Sequence, residues 1–81
     1  MTTLVSRLRR ASQRDAVFLA VHDAIIAGYT IGRVIRYGSV RCVVIGYNIG
    51  GSGLYRGSQF PLLVATPLGV TKCRLREVNL A

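Results

Sequence analysis

The spacing of apolar residues changes character at Gly28, and this switch constrains the fold more than any other feature of the chain. From residue 4 to residue 27 there is neither Gly nor Pro, and Ala, Leu, Arg and Gln favour helix. Leu4, Leu8, Ala11, Phe18, Ile25 and Ile26 recur at three- and four-residue intervals, with Val17, Val21 and Ala24 widening the stripe. That spacing predicts a helix. Thr2 or Thr3 suits its start and Gly28 its stop. Ser12, with Asp15 three residues on, offers a second start inside the segment. The half from Asp15 to Ala27 is expected to pack on the rest of the protein.

After Tyr29 the chain reads as short strands separated by turn signals. The runs are Arg33 to Tyr37, Val40 to Tyr47, Phe60 to Thr66, Val70 to Leu75 and Val78 to Leu80, dense in Val, Ile, Tyr and Thr. Gly38-Ser39 and Pro67-Leu68-Gly69 read as hairpin turns. Strands this short cover a core by curling into a small barrel. The expected fold is therefore α+β, mainly β: a helical segment over residues 1–28, then a five-stranded barrel over residues 29–81, in a single domain. In the second run, alternation puts Val40, Cys42, Val44 and Gly46 on one face and Arg41, Val43, Ile45 and Tyr47 on the other. Both faces are largely apolar, so a cover is expected on each, with the helix on one.

Charge narrows the function. Of 81 residues, 51% are apolar and 17% charged, too apolar for disorder. Eleven basic residues oppose three acids, giving a net charge of +8. Ten of the eleven are Arg, which forks to phosphate or carboxylate. Such a chain attracts polyanions: nucleic acid, an acidic protein or anionic lipid. Apolar stretches are broken by Asp15, His22, Asp23, Arg33 and Arg36, so none reaches a membrane span. With only His22, Asp15, Asp23 and Glu77 to exchange protons, an acid–base enzyme is not expected. His22 and Asp23 are neighbours on a helix and point about 100° apart, so neither orients the other.

Cys42 and Cys73 lie within strand-like runs, and one His cannot complete a zinc site with them. They read as small buried core residues in a cytoplasmic protein rather than as a disulfide. No metal or cofactor is expected. The Arg-, Ser- and Thr-rich start loosely imitates a targeting sequence, but AVFLAV is short and runs into His22-Asp23, so it reads as part of the mature fold.

Asn48 to Ser58 holds four glycines, Gly50, Gly51, Gly53 and Gly57. It misses the dinucleotide, Walker and nucleophile-elbow patterns, because Arg56 and Leu54 stand where Gly is needed. A mobile loop is expected, or else a loop contacting a ligand through its backbone, with Tyr55 and Arg56 as contacts. Tyr29, Tyr37, Tyr47 and Tyr55 either stack on bases or pack their rings at the core edge.

The stretch Gly32-Arg33-Val34-Ile35-Arg36-Tyr37-Gly38-Ser39-Val40-Arg41-Cys42-Val43-Val44-Ile45-Gly46-Tyr47 resembles the first two strands of SH3-like barrels. It is similar to the KOW motif and to hemimethylated-DNA-binding domains, with Cys42 where those families usually place Gly. Gly69 to Leu80 resembles the closing hairpin, turn and last strand of such barrels. In composition the chain also resembles small phage or mobile-element proteins. The resemblance implies that the first and last hairpins approach at one side. Arg33, Arg36 and Arg41 would then join Lys72, Arg74 and Arg76 in one patch, with Arg56 on the glycine loop and Arg7, Arg9, Arg10 and Arg14 extending it along the helix. By parity Lys72, Arg74 and Arg76 form a row on one strand face. The expected function is DNA or RNA binding through phosphates; the alternative is a phage-type module docking on an acidic host protein.

Overall fold

The computed structural model describes residues 13–50 and 53–81. Helix α1 spans Gln13–Ile26. It stops where Gly28 takes φ +99°, its N–H donating to Ile25 O while the Tyr29 N–H donates to Ala24 O, both at 3.0 Å. These two bonds satisfy carbonyls that the helix end would otherwise leave open. They also deliver Tyr29 to the core beside Ala24. The helix covers Asp15 to Ile26, nearly all of the Asp15 to Ala27 half expected to pack. The expected segment before it, with Arg7, Arg9 and Arg10, lies outside the described residues.

Five strands follow: β1 Val34–Tyr37, β2 Val40–Tyr47, β3 Leu62–Thr66, β4 Gly69–Cys73 and β5 Val78–Leu80. All pairings are antiparallel, in the order β4-β3-β2-β1-β5. Gly38, at φ +63°, allows the two-residue turn between β1 and β2. Between β3 and β4 the Thr66 hydroxyl donates to Gly69 O at 2.8 Å and accepts the Leu68 N–H at 3.1 Å, fixing the Pro67-Leu68 turn. A 3-10 turn, Leu75–Glu77, crosses from β4 to β5.

Cys73 of one edge strand and Val78 of the other belong to one buried cluster with Ala24, Tyr29, Ile35, Cys42, Val44, Leu62 and Val64. The sheet therefore curls around a shared core. Among the described residues no ladder joins β4 to β5, so the pairings describe a curled sheet rather than a hydrogen-bonded closure. Burying each large aliphatic, such as Ile35 or Leu62, stabilises the fold by about 1.5–3 kcal/mol relative to exposure.

A bulge in β2 resets the faces. Val44 pairs with Val64, but Gly46 pairs with Leu63 and Tyr47 with Leu62. One extra residue on β2 therefore turns Tyr47 inward, against the simple alternation expected for it. Its hydroxyl donates to Tyr29 O at 2.8 Å, and that of Tyr29 donates to Val78 O at 3.2 Å. Two tyrosines thus tie the helix exit to the sheet. On the outer face of β2 Val43 is half-buried and Ile45 exposed, and among the described residues no element supplies the expected second cover.

Candidate nucleic-acid interface

The outer face of the sheet is built by alternation from the same pairings. Arg36 stands directly opposite Arg41, and Asn79 of β5 lies opposite Arg36 on its other side. All three are exposed. The sheet strands contain no acidic residue. Like charges directly opposed across a ladder destabilise it, so this pair is not explained by the needs of the fold. Asn79 was not among the expected contacts; its parity in β5 was the signal that could have found it.

The other cations are more dispersed than expected. Lys72 occupies the same outer face but opposes Leu63, which in turn opposes Gly46. That level lies roughly 16 Å along β2 from Arg41 at ordinary strand rise. Arg33 is exposed just before β1, its carbonyl accepting the Val44 N–H at 3.0 Å. Arg56 is exposed on the loop, and Arg14 is exposed at the helix start, 5.5 Å from the Phe18 ring centre.

The expected row of Lys72, Arg74 and Arg76 on one strand face does not form. β4 ends at Cys73 and the chain enters the 3-10 turn. The Arg74 N–H donates to Glu77 Oε1 at 2.8 Å, and the Glu77 N–H donates to Arg74 O at 3.1 Å. The Arg74 guanidinium folds over the Phe60 ring, 4.4 Å from its centre, and its Nε is buried without a hydrogen-bond partner. An aromatic face offsets part of the cost of a desolvated cation. Arg74 is thus largely committed to packing, whereas Arg76 is exposed. Both line an open groove of about 450 Å³ with Ala20, Asp23, Gln59 and Pro61.

The glycine loop is anchored at its base. Asn48 is buried, and its side-chain amide donates to Tyr55 O at 2.7 Å and to Phe60 O at 3.0 Å. Gly57 sits so close to the Asn48 carbonyl that a Cβ there would collide with it. Gly53–Tyr55 form a 3-10 turn, and Tyr55 packs on Phe60 with ring centres 5.2 Å apart. The expected mobile loop is therefore held at both ends by one amide; Gly51 and Ser52 lie outside the described residues. Of the tyrosines, Tyr29 and Tyr47 serve the core, while Tyr55 is exposed. Tyr37 lines a second groove of about 530 Å³ with Val40, Leu68 and Val70, between the two hairpin tips. Glu77 nearby raises the Tyr37 phenol above its ordinary pKa.

Cys42 and Cys73 are free and buried, as expected. Burial and the Glu77 charge push the Cys73 thiol up to about 11. Among the described residues no helix is long and apolar enough to cross a membrane. Nor do three His, Cys, Asp or Glu side chains gather there as a metal site. Comparison of the chain with known protein families, curated proteins and solved structures finds no match.

Proposed function

We propose that the chain binds nucleic acid through phosphate contacts, with Arg36 and Arg41 at the centre of the interface. The observation that carries this reading is the opposed arginine pair on strands without an acid. A polyanion lying across the pair removes the repulsion and is held by two guanidinium forks. Asn79 adds an amide beside them, and Arg33 and Lys72 broaden the positive field. Phosphate contacts fix position without reading bases, so little sequence preference is expected. Two free buried thiols suit a reducing compartment such as the cytoplasm.

Fluorescence anisotropy with labelled duplex DNA and single-stranded RNA tests the assignment. Arg36→Ala and Arg41→Ala should each weaken binding several-fold on all sequences, while Arg14→Ala changes it little. Equal effects from all three would remove the outer face from the account.

The hairpin-tip groove supports a second reading, docking on an acidic protein. Tyr37, Val40 and the wholly exposed Leu68 form an apolar surface at the strand position next to the Arg36–Arg41 pair. Loss of partner binding on Leu68→Ser, with nucleic-acid affinity absent at low salt, would favour it.

A further inference from the structure

The helix is apolar on two sides, and among the described residues only one is packed. Val17 and Ala24 are buried against the rest of the chain. On the opposite side Phe18, Leu19, Ile25 and Ile26 are exposed, Leu19 by 64% and Ile26 by 74%. They follow helical spacing around His22, forming one continuous stripe. A contiguous exposed apolar patch marks an interaction surface.

Charge identifies the occupant. Residues 15–32 carry no Lys or Arg, although the chain has eleven, and they contain two of its three acids. Two copies at +8 repel through any surface that bears the arginines, and this helix face lets them meet without apposing the cations of the sheet. An acidic protein would find stronger attraction at the outer sheet face. Anionic lipid prefers helices whose polar flank is rich in Lys and Arg, which this segment lacks.

We propose that this face joins two copies of the chain in a two-fold dimer, with the two helices antiparallel and crossing at His22. Two-fold symmetry then sets Phe18 against the partner's Ile26 and Leu19 against the partner's Ile25. The antiparallel arrangement also brings Arg14 towards the other helix's C-terminal end, whose last turn has no basic residue. That end favours a cation. The dimer rests on the helix alone and stands or falls independently of nucleic-acid binding.

Sedimentation equilibrium on nuclease-treated full chain, from low micromolar to submillimolar concentration, is the test. The wild type should reach the mass of two chains. Leu19→Lys and Ile26→Lys, at exposed positions, should each raise the dimer dissociation constant about thirtyfold or more. Leu68→Lys, at the hairpin tip, should leave it unchanged. His22→Cys should cross-link as a disulfide-bonded dimer under mild oxidation, since Cys42 and Cys73 are buried and do not compete. This second variant keeps the test decisive if a lysine variant fails to fold. A wild type monomeric throughout, a dimer indifferent to both lysines, or a His22→Cys chain that stays uncross-linked would overturn the proposal.

Discussion

Individual side chains divide into those that hold the fold and those free to act. Asn48 belongs to the first group, because its side-chain amide is spent on the Tyr55 and Phe60 carbonyls. Asn48→Ala should therefore cost about 2–3 kcal/mol, read from urea unfolding; a loss below about 0.5 kcal/mol would show that the loop does not depend on this clamp. Arg74 and Arg36 should separate in the same assay. Arg74→Ala removes a cation from the Phe60 face and should destabilise by about 1 kcal/mol. Arg36→Ala relieves repulsion with Arg41 and should be neutral or slightly stabilising while weakening nucleic-acid binding. Cys73 supplies a pH test. Its folded pKa is raised to about 11, above the value of about 8.5 for an exposed thiol. The unfolded chain therefore loses this proton first as pH rises. The contribution to stability is complete below about pH 8.5 and is lost progressively towards about pH 11. Cys73→Ser should flatten the alkaline decline in stability; an unchanged decline would place its origin in other groups.

Elements with strong local signals were legible in the sequence. The hairpins at Gly38-Ser39 and Pro67-Leu68, the extent of β2 and of β5, and the helix stop at Gly28 all lie where turn chemistry and periodicity put them. What the sequence hid depends on partners distant along the chain. The bulge between Val44 and Gly46 leaves no mark in an apolar run, yet it reverses Tyr47. The Asn48 clamp pairs a strand end with residues 7 and 12 positions away, inside a stretch whose glycines suggested freedom. Parity made Arg74 a surface charge because the end of β4 at Cys73 could not be read from alternating residues. Gly57 tests the packing of this loop. Gly57→Ala meets the Asn48 carbonyl backbone and Val17, so it should destabilise by about 2 kcal/mol or more. An unchanged melting temperature would mean that the loop base yields freely.

For the whole molecule, the distribution of charge matters more than its total. Glu77 caps its own turn, and Asp15 and Asp23 ride on the helix, so the sheet strands keep only positive charge. The candidate site was legible in kind, from ten arginines in 81 residues, but not in arrangement. Among the described residues only the Arg36–Arg41 apposition concentrates charge by direct pairing, and Lys72 lies further along the same face. The most direct test of this account is the salt dependence of duplex-DNA affinity for the wild type and the Arg36→Ala/Arg41→Ala double variant, measured by filter binding. With roughly five phosphates neutralised, log affinity should fall against log salt with a slope of about −4 to −5, and the double variant should bind more weakly with a slope shallower by about two units. Micromolar or weaker wild-type binding at low salt, with no change in slope on removing both arginines, would contradict it.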